Sequence, residues 1–164
     1  MKKILLTRGY YTLVDDADFL ELSGIKFHAN GKPGNIYAAV GDTLNGKRIK
    51  RKLHHILFGC VPGLRIDHRN GDSLDNRRLN LRLASSQNNS RNMRKWKTGA
   101  TSNYKGVCWH KRDKKWQVNI KPSAGVPQIT TGSFKSELAA ADAYDRAAIK
   151  YHGDFANLNF PIEN

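Results

Sequence analysis

Cysteine, acidic residues and long apolar runs are all scarce in this sequence, and each shortage removes a class of protein. There are two cysteines, Cys60 and Cys108, far apart and without a CxxC. That excludes a disulfide scaffold and predicts reduced thiols in an intracellular protein. A structural zinc needs about four ligands, and no Cys/His cluster has the spacing; His54-His55 is at most part of one. No apolar run approaches the roughly 18 residues of a membrane span, and no lipidation motif is present. The opening MKKILLTRGYY has only Ile4-Leu5-Leu6 as an apolar core, too short for a signal peptide.

The shortage of acids points to a partner. Against 14 Asp+Glu stand 28 Lys+Arg, giving a net charge of +14, with a pI near 10.0. Such a chain favours nucleic acid, because each phosphate contact releases counterions and adds affinity independent of sequence. An anionic membrane is the rival, and no apolar segment supports it. With 164 residues and 39% hydrophobic content, the chain can build one domain or two small ones.

The N-terminal region, 1–52, reads as β-rich. Residues 4–14 alternate around Arg8-Gly9, as in a hairpin. A short helix is predicted from Asp16 to Leu22. Strands are predicted over Lys26–Asn30 and Asn35–Val40, around the turn Asn30-Gly31-Lys32-Pro33-Gly34. Lys47 to Lys52 is a dense basic run, either a solvated strand edge or a phosphate contact. Leu53, Ile56, Leu57 and Phe58 follow as a core helix, and Pro62-Gly63 as a turn.

Leu64 to Asn92 holds the chemistry. A short strand (Leu64, Ile66) ends in Asp67-His68, and a polar turn runs through Arg69-Asn70-Gly71-Asp72-Ser73. A second apolar alternation follows at Leu79, Leu81 and Leu83, and Ser85-Ser86 caps a polar, Asn-rich helix. A carboxylate, an imidazole and several amides on one small platform suit metal-assisted phosphodiester hydrolysis. Mg²⁺ takes oxygen ligands, one or two from protein and the rest from water and phosphate; Asp67 and Asn89 supply such oxygens. His68 is the group able to take a proton from water near neutrality. Adjacent strand residues point to opposite faces, so Asp67 and His68 share a site only if the strand ends there.

The run Leu53-His54-His55, Asp67-His68, Asp75-Asn76, Asn80-Leu81-Arg82 and Asn89 resembles the HNH homing-endonuclease family, in particular its phage-type nicking members. The resemblance implies a ββα-metal fold over 53–95. It implies His68 as general base, Asn80 steadying the strand or the ring, and Asn89 joining Asp67 on a divalent ion, Mg²⁺ or Mn²⁺. His55 stands where that family more usually has Arg. The resemblance also implies the cytoplasm of a bacterium or phage-infected cell.

After a basic linker over 96–102 the organisation changes. Arg94 and Lys95, just before it, either line a DNA groove or belong to an exposed tether. Three antiparallel strands are predicted over Lys105–His110, Trp116–Lys121 and Gln128–Phe134, with turns at Arg112-Asp113-Lys114 and Pro122-Ser123-Ala124-Gly125. A helix capped by Ser136 runs to about His152 and stops at Gly153. Ala140, Ala143, Ala147 and Tyr151, with Tyr144 and Ala148 beside them, would pack on the sheet. The other sheet face would carry Lys, Arg, Trp and Asn toward DNA.

Tyr104-Lys105-Gly106-Val107, Lys115-Trp116, Gly132-Ser133-Phe134, the alanines of the helix with Tyr144-Asp145, and Leu158-Asn159-Phe160-Pro161 resemble the plant Apetala2/ethylene-response-factor DNA-binding domain over 103–161. The resemblance implies duplex-DNA contacts at Lys105, Trp109, Lys111, Arg112, Lys115, Asn119 and Lys121, and also at Gln128 and Thr130. Trp116 is either a contact or a half-buried core aromatic.

The expectation is an α+β chain: a nuclease platform with a β-rich lead-in, then a three-stranded antiparallel sheet packed on one helix. It would be a strand-nicking DNA endonuclease with no obligatory protein partner; a dimer is possible, and cutting both strands would take a dimer or two events. The alternative is a DNA-binding repressor without catalysis.

Overall fold

The structure, a computed structural model, describes residues 1–93 and 99–161. The chain divides into two compact units, Met1–Ser86 and Gln87–Asn164, both of mixed helix and sheet. Among the described residues no helix is long and apolar enough to cross a membrane.

The first unit opens with an antiparallel hairpin, β1 (Lys2–Leu5) and β2 (Tyr11–Val14), closed by a 3-10 turn in which Arg8 takes φ 64°. α1 (Asp16–Leu22) follows. Then β3 (His28–Lys32), β4 (Asn35–Leu44) and β5 (Lys47–Lys52) form an antiparallel sheet in that order. The β4–β5 turn places Asn45 and Gly46 at φ 50° and 73°, the left-handed pair that matches the twist of a two-residue hairpin loop. α2 (Leu53–Phe58) leads to β6 (Arg65–His68), which pairs antiparallel with β7 (Leu81–Ala84).

One core joins the first hairpin, α1, β4 and α2. Ile4, Leu6, Val14, Leu22, Phe27, Ala38 and Leu53 are buried together, with Ile56, Leu57 and Leu74 against them. Burying a side chain such as Val14 or Leu53 is worth about 1.5–3 kcal/mol. Residues before and after position 52 therefore share a core, and no boundary between compact units falls there.

Two sequence expectations need correcting here. The second apolar alternation does not begin at Leu79, which lies in a 3-10 turn (Arg78–Asn80) and is 91% exposed. Nor does β7 turn its leucines inward in step. Leu81 and Arg82 are buried, whereas Leu83 is exposed. The cause is electrostatic: Arg82 sits directly opposite Asp67 in the ladder and pairs with it inside.

α3 (Ser86–Asn92) starts at the junction of the units. In the second unit, β8 (Val107–His110), β9 (Lys115–Ile120) and β10 (Ile129–Phe134) form an antiparallel sheet in the order β10-β9-β8. α4 (Glu137–His152) packs on it, with Ser136 accepting from the Ala139 N–H at its start. The buried line of α4 is Ala140, Ala141, Tyr144 and Ala148, with Ala143, Ala147 and Tyr151 on its flank. Small side chains let the helix lie close on Val107, Val118 and Ile120. Gly106 (φ 74°) completes the approach, since a Cβ there would stand 1.9 Å from the Tyr144 ring.

Candidate active site and nucleic-acid interface

The segment between β6 and β7 is irregular, yet it is held from several sides. The Leu13 N–H donates to the Leu74 carbonyl at 2.9 Å, and the Asn76 N–H to the Leu13 carbonyl at 2.9 Å. This joins β2 to the segment as a short parallel bridge between Leu13 and Asp75. Ser73 Oγ donates to the Ile36 carbonyl at 2.5 Å. Arg78 donates its backbone N–H to Asp15 at 2.8 Å and closes its guanidinium on Asp18 at 2.7 Å. The N-terminal elements are thus the scaffold of this segment.

Asn80 works from inside it. Its Nδ2 donates to the Asp75 carbonyl at 2.7 Å, and its Oδ1 accepts from the Asn70 N–H at 3.0 Å. These bonds shape the turn after His68; the amide beside ring atom Nε2 is a different one, that of Asn76. His68 Nε2 lies 3.4 Å from Asn76 Oδ1, and Asn76 Nδ2 donates to Thr12 Oγ1 at 2.7 Å. Thr12 and Asn76 are essentially sealed from solvent, at 0% and 1% exposure.

Asp67 and His68 are the last two residues of β6, opposite Arg82 and Leu81 in the ladder, and both are buried. The His68 ring packs edge-on to His54 at 5.1 Å and lies 6.3 Å from Tyr37. Lys52 Nζ stands 3.7 Å over the Tyr37 ring. Burial, with the neighbouring His68, His55 and Lys52, pushes the pKa of His54 down to about 3. Burial also lowers that of His68, opposed by the Asn76 hydrogen bond and by Asp67, Asp72 and Asp75. The His68 imidazole is therefore neutral at pH 7, the form that accepts a proton. Tyr37 is raised by burial and by the charge on Asp67.

Arg82 Nε donates to Asp67 Oδ2 at 2.8 Å. Among the described residues no group of three or more His, Cys, Asp or Glu is placed to hold a metal. The donors expected here are instead one carboxylate and one amide, both oxygen, which suits a hard cation that keeps water and phosphate as its other ligands. Asn89 lies in α3, in the second unit. The residues that sequence reasoning overlooked are Arg82, Asn76, Thr12, Tyr37 and His54 as partners of the pair. His54, Asp75-Asn76 and Arg82 belonged to the recognised pattern; nothing local marks Thr12 or Tyr37.

In the second unit the register decides which side chains face outward. Trp109 pairs with Trp116, Cys108 with Gln117, and Val107 with Val118. Trp109 therefore shares the helix-side face with Trp116, their rings 4.9 Å apart, and Trp116 packs at the core's edge. The expectation of Trp109 on the open face is corrected by this pairing. The open face carries Cys108, Lys115, Gln117 and Asn119. Asn119 Nδ2 donates to Cys108 Sγ at 3.1 Å, and Thr130 Oγ1 to Asn119 Oδ1 at 2.8 Å. Lys111, Arg112, Lys115 and Lys121 are exposed at the hairpin turn and strand ends, as is Gln128 before β10.

Lys105 differs from them. Its ammonium donates to the Arg91 and Met93 carbonyls at 2.5 and 2.6 Å, and burial lowers its pKa to about 8. It closes the C-terminal end of α3, and Arg91 in turn donates to the Pro122 carbonyl. Asp145 and Asn159 hold the chain end: Asp145 accepts from the Asn159 and Phe160 N–H groups, and Asn159 Oδ1 from the Lys105 N–H. Arg94 and Lys95 lie outside the described residues.

Comparison with known proteins agrees with both parts. Residues 52–91 match the HNH endonuclease family. A stretch of about 60 residues is similar to plant Apetala2-type proteins. It is 44% identical over 61 residues to the AP2-like ethylene-responsive transcription factor PLT2 of Arabidopsis thaliana, covering 37% of this chain and 11% of that protein. It is 39% identical over 64 residues to APETALA2-like protein 2 of Oryza sativa subsp. indica, covering 39% of this chain and 14% of that one. The chain thus has one stretch that matches the HNH endonuclease family and another similar to Apetala2-type proteins, and it spans only a small fraction of the curated relatives it matches.

Proposed function

We propose that this protein is a metal-dependent DNA endonuclease of the homing type that nicks one strand of a duplex. The observation that carries the reading is the buried His68 at the end of β6, next in sequence to Asp67, inside the stretch that matches the HNH endonuclease family. In this reading β6, β7 and α3 form the ββα-metal platform.

Asp67 and Asn89 would hold a divalent ion, Mg²⁺ or Mn²⁺. Such an ion, when bound, neutralises charge on the phosphate and the leaving oxygen. The chain's own work is to place a base and keep it in shape. His68 takes the proton from the attacking water. Asn80 fixes the turn that follows His68, and Arg82 orients and neutralises Asp67. The second unit supplies affinity and site choice: Lys111, Arg112, Lys115 and Lys121 lie on phosphates, and Asn119 on the open face meets base edges. One such site per chain cuts one strand; a double-strand break takes two chains or two events.

The test uses supercoiled plasmid with Mg²⁺ or Mn²⁺, the parent chain and His68→Ala. Relaxed circles from the parent and none from the variant are expected. Equal nicking by the two would remove His68 from the mechanism. Binding without nicking by either would leave a DNA-binding protein, the reading favoured by the cation already seated on Asp67.

A further inference from the structure

The Asn76 amide has two ends of nearly equal shape, and only its hydrogen-bond partners decide which way it faces. A backbone carbonyl can only accept. The Leu74 carbonyl receives the Thr12 hydroxyl at 2.7 Å, so the single proton of Thr12 is committed there. The Thr12 oxygen then faces Asn76 as an acceptor and takes the Nδ2 hydrogen at 2.7 Å. Asn76 Oδ1 is left toward His68 Nε2 at 3.4 Å. An amide oxygen only accepts, so Nε2 is the nitrogen that bears the hydrogen. A neutral imidazole has one N–H, and the lone pair sits on Nδ1. With Thr12 and Asn76 at 0% and 1% exposure, no bulk water competes for either group.

We propose that Thr12, from the N-terminal hairpin and outside residues 52–91, is a positioning residue that fixes His68 in its Nε2–H tautomer. The bearing of that tautomer on nicking rests on the nuclease reading. Direction passes along the chain Leu74 carbonyl, Thr12 hydroxyl, Asn76 amide and His68 ring, each link setting the sense of the next. A base in the wrong tautomer holds its lone pair away from the water, which costs far more rate than a small displacement does.

The test is the ¹⁵N spectrum of the full chain labelled in histidine, taken above neutral pH, with His68 assigned by loss of its signals in His68→Gln. A protonated Nε2 and a bare Nδ1 are expected at His68, with Thr12→Ser giving the same pattern and parental nicking. Thr12→Val removes the orienting hydroxyl. His68 should then show a mixture of tautomers, and nicking should fall about tenfold, the weight of one buried hydrogen bond. Adding Asn76→Asp to Thr12→Val should restore the Nε2–H signature, because a carboxylate accepts at both oxygens and needs no orienting partner. A parent chain with its hydrogen on Nδ1 overturns the proposal without any substitution. A folded Thr12→Val chain with parental tautomer and nicking overturns it as well. An Nε2–H signature in a parent chain that nicks nothing supports the tautomer assignment and overturns the nuclease reading.

Discussion

Arg82 closes on Asp67 from the neighbouring strand, with Nε and Nη2 both 2.8 Å from Oδ2 and both side chains more than nine-tenths buried. The two residues face each other in the β6–β7 ladder, so the pairing is a consequence of register. Breaking it from one side takes the opposite charge away from a buried one. Arg82→Met should lower unfolding stability by about 3–5 kcal/mol in urea titration. Arg82→Met with Asp67→Leu should recover most of that, since both charges are then gone. If the single variant is as stable as the parent, the pair is not buried in solution.

His54 gives the stability a pH dependence with a definite sign. The folded chain keeps it neutral down to about pH 3, whereas the ordinary value is 6.5. Between those limits the unfolded chain binds the extra proton, so stability is fully present above 6.5 and declines as pH falls. The slope attributable to one such group is up to about 1.4 kcal/mol per pH unit. Denaturant melts of the parent and His54→Phe between those limits check it; the variant should show the flatter curve.

Gly106 and Gly125 share nearly the same φ, 74° and 75°, yet only Gly106 faces a ring. Gly125→Ala should cost about 1 kcal/mol, the backbone penalty alone. Gly106→Ala adds a clash with Tyr144 and should cost roughly 3 kcal/mol or more. Calorimetry of the two variants separates backbone strain from overpacking.

The basic side chains of the second unit should divide by salt dependence. Lys115→Ala should weaken binding to every duplex and reduce the salt slope by about 1. Asn119→Ala should alter preference among duplexes and leave that slope alone. Lys105→Ala should do neither first; with the α3 carbonyls uncapped, its effect should appear in thermal stability. Fluorescence anisotropy at several salt concentrations, beside a melting curve, distinguishes the three.

Much of this architecture was legible from periodicity and turn chemistry. Asp16–Leu22, the sheet strands around Pro33-Gly34, and the strands and Ser136-capped helix of the second unit stand close to where alternation and capping put them. Residue pattern also marked Asp67, His68, Asn80 and Asp75-Asn76. What alternation cannot tell is which face turns inward. Arg82 goes in where Leu83 was expected, because a charge already waits opposite. Trp109 goes to the helix side because the hairpin register sets it against Trp116. The partners of His68 and Lys105 were hidden for another reason. Thr12 and Asn76 are 64 positions apart, and no local window joins them; Lys105 reads as one more basic residue until its carbonyl partners are seen.

The hairpin bridge at Leu13 bears on how this module can be cut and transplanted. A graft limited to residues 52–91 would keep the base and leave behind the strand that braces its turn, along with Thr12, Asp15 and Asp18. Such a fragment should bind poorly ordered to any new host, and a usable cassette begins at the first hairpin.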